Sequence, residues 1–273
     1  MSKTPAQPLP TFDEISQLPD QWSLYKDLIS GVPGGIGVVD VTIGLHCILV
    51  EAESGFGMSM VARGGAGSYR LDGVGPAMDL RSLACLSTSW NFLEASVGVA
   101  ALNAWYSTPE HAESVGMQVD EKGTNDGFDL YKGICTGKCV AVVGHFPMVE
   151  RLGEYCDLTV LERNPYGDDV PDPACEFVIP HSDVTFMTGL TLTNKTMPRL
   201  LELSRAGSTI LVGPSVIPAP VLYEYGVDCM GGSVIRDPER ARHAITSGLE
   251  RGVFHNGVQK MRVERPGWLE SLR

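Results

Sequence analysis

Between Lys138 and Ser215 the chain repeats one hydropathy pattern four times: a short apolar run rich in β-branched residues, then a small or polar loop. The runs are 139–143, 158–161, 184–187 and 209–212. The loops are Gly144-His145-Phe146-Pro147, Glu162-Arg163-Asn164-Pro165, Thr188-Gly189-Leu190-Thr191 and Gly213-Pro214-Ser215. Such runs, separated by helical patterns, predict a parallel sheet with crossover helices. In sheets of this kind the loops at the carboxyl ends of the strands hold the ligand. The polar tips are therefore expected to converge on a shared hollow.

The first half follows a different rhythm. Ile15, Leu18, Trp22, Tyr25, Leu28 and Ile29 predict a helix within residues 11–30, ended by Gly31 to Gly35. Residues 38–52 read as one or two strands, and 57–63 as their hairpin partner across Glu53-Ser54-Gly55. A glycine-rich loop at 64–68 and two helices at 78–86 and 91–106 follow. The polar segment 108–127 is the expected domain boundary. The pattern is thus α+β over residues 1–120 and α/β over 121–273. In the second half, helices are predicted at 194–205 and 238–249, with Pro238 in a first-turn position. The run after Arg251 is basic and shows no clear period.

Composition narrows the function classes. A net charge of −12 over 273 residues argues against nucleic acid or an anionic membrane as partner. No stretch approaches the ~20 apolar residues of a bilayer span. The polar, Pro-rich start has no signal-peptide core and reads as a loose tail, so the expected location is cytoplasmic. Seven scattered cysteines, among them Cys47, Cys139, Cys156 and Cys229 in or beside predicted strands, suit reduced thiols rather than a disulfide framework. A homodimer is the expected assembly for an acidic α/β protein of this size.

Gly144 permits a tight turn, and Pro147 can open a helix whose free N–H groups face a ligand. His145 can serve as general base or metal ligand, or can merely pack or cap. Glu162 lies 18 positions after Gly144, near the offset at which an acid grips a ribose hydroxyl. It can equally pair with Arg163 or Arg151. Asn164 can face the same hollow. The segment from Thr188 to Thr196 carries more hydroxyl and amide groups than one helix cap requires, so Thr188, Gly189, Thr191, Asn194 and Thr196 form a candidate polar cup. Phe146, Gly213, Pro214 and Ser215 would wall it. On the Ala-rich helix, Glu94 suits either a capping box with Asn91 or a site role. Asn103, set among Ala and Leu, must find hydrogen bonds and is the better candidate to close the site.

Metal signals are weak. Cys135 and Cys139 lack a zinc spacing, and His145, Glu162 and His181 are dispersed. Residues 133–138 are not a phosphate loop, and no Gly-x-Ser-x-Gly elbow exists.

Ser89-Trp90-Asn91 and the segments 96–104, 142–147, 161–165, 180–183, 188–196 and 212–215, taken in order, resemble the heavy-metal chelation family, a prokaryotic domain of unknown function. The resemblance implies a domain similar to the N-terminal domain of enolase, then a Rossmann-like domain, with a site in the cleft between them. Three functions stay open. One is a small-molecule-binding protein or enzyme acting on a heavy-metal chelate or anionic metabolite, with His145 or Glu162 as the titratable group. The second is a nucleotide- or S-adenosylmethionine-dependent transferase. The third is a non-enzymatic protein that binds a heavy-metal ion.

Overall fold

A computed structural model describes residues 8–67, 71–76, 78–119, 128–248 and 252–272. The loose tail expected at the start and the boundary expected at 120/121 fall on residues 1–7 and 120–127, outside those described. The protein is mixed α/β, with a small antiparallel sheet followed by a large, mostly parallel one.

The small sheet has three strands in sequence order, β1 (Val38–Ile43), β2 (Cys47–Ala52) and β3 (Gly55–Met60). Glu51 pairs with Phe56 and Ala52 with Gly55, so β2 and β3 form a tight hairpin. The long helix Phe92–Tyr106 lies against one face of this sheet. Helix Pro238–Thr246, from the far end of the chain, packs on the other face, where Leu49 and Met58 meet Ala241, Ala244 and Ile245. Arg242 fixes that contact by pairing with Asp40 and Glu51.

The large sheet runs β4-β11-β10-β9-β8-β5-β6-β7: β4 is Gln118–Val119, β5 Cys139–Val143, β6 Asp157–Glu162, β7 Val170–Pro171, β8 Val184–Thr188, β9 Ser208–Val212, β10 Cys229–Ile235 and β11 Val258–Glu264. Strands β10, β9, β8, β5, β6 and β7 are parallel, while β11 runs antiparallel to both β10 and β4. The four apolar runs picked out in the sequence are β5, β6, β8 and β9, and they are adjacent. One apolar cluster, from Leu86 and Val97 to Ala141, Met187 and Leu211, is continuous between the helical layer and the large sheet. A second, with Phe128, Tyr131, Val142, Phe186 and Trp268, covers the opposite face.

Several elements differ from the sequence expectation for physical reasons. The helix expected at 11–30 is broken by Pro19 into Phe12–Ser16, a 3-10 turn at Asp20–Trp22, and Ser23–Ser30. The helix expected at 194–205 is shorter, Met197–Leu203, because Lys195 turns into the left-handed region after a separate turn at Leu190–Thr193. The basic run after Arg251 contains β11, whose Val258, Met261 and Val263 are buried. Among the described residues no helix is long and apolar enough to cross a membrane.

Helix Phe92–Tyr106 is buried nearly all round, and β3 meets it through Gly57. A Cβ at Gly57 would stand 1.9 Å from the Ala104 nitrogen and 2.3 Å from the Ala100 carbonyl oxygen. Both obstacles are backbone, so no side-chain rotation relieves them. We expect Gly57→Ala to lower the urea-unfolding free energy by roughly 3 kcal/mol or more. Gly133→Ala, where a Cβ meets nothing within 4 Å, should change it by less than about 1 kcal/mol, in the stabilising direction. Equal effects of the two substitutions would refute the close-packing account.

Candidate active site

The carboxyl ends of β6, β5, β8 and β9 bring Glu162, Gly144, Thr188 and Gly213 side by side along one edge of the sheet. Gly144 leaves β5 at φ 102°, a conformation that favours glycine. A Cβ there would meet the Thr188 methyl at 2.9 Å, which shows how closely the two loops approach. Phe146 folds back under the edge, with its ring 5.5 Å from that of Phe128 and near Gly213. The expected helix opening at Pro147 does not form. Met148 takes φ 64° and a 3-10 segment, Val149–Glu154, follows, so the loop after β5 leads into no α-helix N-terminus.

Glu162 acts as a staple between loops. One carboxylate oxygen accepts the His145 N–H at 2.9 Å, and the other accepts those of Arg163 (2.8 Å) and Asn164 (3.1 Å). Neither sequence reading, the ribose acceptor or the ion pair, describes these bonds. Asn164 is exposed beside it.

His145 is the chemically distinctive group. Its Nδ1 lies 2.9 and 3.1 Å from the two oxygens of Asp169. The Asp169 side chain is only 5% exposed, against 31% for the imidazole. Asp169 is held in turn by the Tyr166 N–H at 3.1 Å, and the Tyr166 ring meets the imidazole edge-on. A buried carboxylate at Nδ1 favours hydrogen there and sets the ring's orientation, which leaves Nε2 on the open side. Nε2 lies 3.4 Å from Glu150, which is well exposed. The edge therefore offers an oriented imidazole rimmed by carboxylates, an arrangement that can accept a proton or a metal ion. Sequence reasoning missed Asp169, Glu150 and Tyr166, because they come from the β6–β7 and β5–β6 connections and carry no motif. The available signal was the Asp168-Asp169 pair in a Gly-containing loop, six and seven positions after Glu162.

The Thr188–Thr196 segment is largely self-satisfied. The Thr188 hydroxyl accepts the Leu190 N–H (3.3 Å), the Thr191 hydroxyl donates to the Thr188 carbonyl (2.7 Å), and the Asn194 side chain accepts from the Thr196 amide and hydroxyl. Thr191 is buried, and a Cβ at Gly189 would strike the backbone of Ser215 at 2.5 Å. Ser215 is buried too, and its hydroxyl accepts the Met60 N–H of β3 at 2.8 Å. The surplus of hydroxyls thus goes largely to the seam between the two sheets, while Thr188, Gly213 and Pro214 stay half-buried at the edge. Asn103 sits deeper in the same seam; its amide donates to the Met58 carbonyl and its oxygen accepts from Ser107, each at 2.9 Å. Glu94 is buried and accepts from the Ser89 hydroxyl at 2.6 Å, not from the Asn91 N–H that a capping box would use. His181 precedes β8 and so lies at the amino edge.

Thiols do not supplement the edge. Burial pushes Cys85, Cys135 and Cys229 up to about 12 and Cys175 to about 11, so all four are neutral thiols at ordinary pH. Cys139 is exposed, but it starts β5 and faces the opposite edge. Among the described residues no group of three or more His, Cys, Asp or Glu side chains could hold a metal ion.

Lys195 borders the seam. Its ammonium donates to the Thr193 carbonyl at 2.6 Å and lies 5.7 Å from the Tyr25 ring centre, and Tyr25 itself donates to the Leu192 carbonyl at 2.6 Å. Burial pushes Lys195 down to about 7. An unfolded lysine keeps its proton up to about 10.4. Between those values the unfolded chain binds more protons, so this group makes stability rise with pH from about 7 to about 10 and leaves it flat below. We expect Lys195→Met to abolish that slope, on the order of a few kcal/mol, in unfolding free energies measured from pH 6 to 10. Parallel curves for the two proteins would refute this.

Comparison with known proteins gives a consistent grouping. The family model "DUF364: Putative heavy-metal chelation" matches residues 126–264, and "DUF4213: Putative heavy-metal chelation" matches residues 25–106. The chain is 29% identical over 184 residues to the uncharacterized protein MJ0500 of Methanocaldococcus jannaschii, covering 66% of this chain and 69% of that protein. A solved DUF364-family protein of unknown function from Desulfitobacterium hafniense DCB-2 has a TM-score of 0.81 and 33% identity, over 90% of this chain and 99% of that one. Another, PH1506 from Pyrococcus horikoshii, has a TM-score of 0.70 at 20% identity over the same shares, a likeness of fold alone.

Proposed function

The chain belongs to the DUF364 family, described as "Putative heavy-metal chelation", and from that premise we propose that it binds a small metal-bearing molecule at the carboxyl edge of its large sheet. The observation that carries the reading is the His145–Asp169 pair, which holds one imidazole nitrogen outward among carboxylates. Asp169 sets the ring's orientation, and Glu150 and the acidic rim favour positive charge. Thr188, Gly213, Pro214 and Asn164 line the approach. Gly189, Thr191, Asn194, Thr196, Ser215 and Asn103 support it by holding the seam.

The described residues do not fit a protein-built metal cage, because no third ligand joins His145 and the buried thiols are neutral. The metal is therefore read as cargo, already held by a small chelator that leaves a coordination position open. Residence in a protein cage, the non-enzymatic metal-binding alternative, has no donor set among those residues. The transferase alternative has less support, since Glu162 already accepts three backbone N–H groups and has little acceptor capacity left for a ribose hydroxyl.

Ni(II)–nitrilotriacetate, a chelate with two open positions, is a direct probe. Calorimetry should find one site per chain, weakened about tenfold or more in His145→Ala, with a loss of about 10–100-fold in Asp169→Asn. Wild-type affinity in His145→Ala would sink the proposal.

A further inference from the structure

Lys195 stands where a lysine is costly for three reasons. Its backbone takes φ 71°, a left-handed conformation that Gly or Asn adopts more easily. Its long side chain is part-buried in a turn at the seam, where it loses rotamer freedom. Its ammonium pairs with no carboxylate among the described residues. It donates to the Thr193 carbonyl at 2.6 Å and stands 5.7 Å from the centre of the Tyr25 ring. An asparagine or a methionine would avoid one or more of these costs, so packing alone does not account for an amine here.

The surroundings hold that amine still. The Leu192 carbonyl accepts both the Tyr25 hydroxyl (2.6 Å) and the Lys195 N–H (3.3 Å), and the Asn194 side chain accepts the Thr196 amide and hydroxyl at 3.1 and 2.6 Å. Tyr25, the titratable group in contact with Lys195, is buried, and burial holds its phenol protonated. In the same turn the Thr193 hydroxyl is buried with no hydrogen-bond partner among the described residues. Burial also pushes Lys195 down to about 7, so much of it carries a free lone pair at ordinary pH. A desolvated amine, fixed in place without a counter-charge, is the form in which lysine attacks carbonyl groups. Capture of carbon dioxide would instead put a carbamate anion where burial disfavours charge.

We propose that Lys195 is a covalent site that condenses reversibly with a small aldehyde. Its Nζ lone pair forms a bond to the carbonyl carbon, and the oxygen takes up the π electrons and a proton from the nitrogen. The nitrogen then expels that oxygen, with a second proton, as water, and a C=N bond remains. The inference does not rest on the reading of His145.

Propanal with sodium cyanoborohydride, which reduces the imine to a stable propyl-lysine, tests it on the intact chain at pH 7.5. Peptide mass spectrometry reads the rate of adduct formation at each lysine. At that pH an ordinary lysine is neutral in only about one molecule in a thousand. Lower basicity and partial burial offset part of the gain in neutral amine at Lys195. It should therefore react about tenfold or more faster than the exposed Lys132. In concentrated urea the two rates should converge. The proposal is overturned if Lys195 of the folded protein reacts no faster than Lys132, or if its lead survives unfolding.

Discussion

Burial of the Phe92–Tyr106 helix on every side is the constraint around which this protein is arranged. A helix with no solvent face must be made of small and apolar residues, and this one is: Ala95, Val97, Gly98, Val99, Ala100, Ala101, Leu102 and Ala104 are all buried. Close approach to β3 then requires Gly57, where even a methyl group would strike helix backbone. The polar side chains left inside must be satisfied within the protein. Asn103 does this by joining the Met58 carbonyl to the Ser107 hydroxyl, so the amide that looks costly in the sequence ties helix to sheet. The Leu190–Thr193 turn and the Ser215 hydroxyl complete the packing from the other unit.

That seam explains why the candidate chemistry lies at the outer part of the sheet edge. The loops after β8 and β9 are drawn inward to meet β3 and the long helix, and the hydroxyls of Thr188, Thr191 and Ser215 are spent on backbone groups, while that of Thr193 is buried without a partner among the described residues. The loops after β5 and β6 have no such neighbour. They are tied instead to each other, Glu162 holding three backbone N–H groups and Asp169 holding His145. A carboxylate accepting several backbone N–H groups makes strong, charge-assisted bonds that fix the loops it joins. The imidazole is left with Nε2 on its open side, beside the exposed Glu150.

Much of this was legible in the chain. The four apolar runs are adjacent strands, and Asn91 caps the helix that was read from it, through its side-chain oxygen at the Leu93 and Glu94 N–H groups. β11 was not legible, because its outward positions Gln259, Lys260 and Arg262 gave the segment a basic look that masked Val258, Met261 and Val263. The roles of Glu162 and Asp169 were hidden for another reason. Each bonds to a group supplied by a different strand connection, and sequence spacing carries no record of which loops a sheet order brings together. The local bonds that occupy the hydroxyls of Thr188, Thr191 and Thr196 are invisible until the turns around Lys195 are seen.

The placement of the cysteines bears on how such a protein would handle a metal. Soft metal ions prefer thiolates, and seven cysteines could have built a tight site. Five of them are buried, and burial keeps the thiols of Cys85, Cys135, Cys175 and Cys229 protonated. A neutral thiol inside a packed core neither captures an ion nor competes for one passing at the surface. On the proposed reading this withholding is functional: a single imidazole among carboxylates binds a chelated ion weakly enough to release it, where a thiolate cage would hold it.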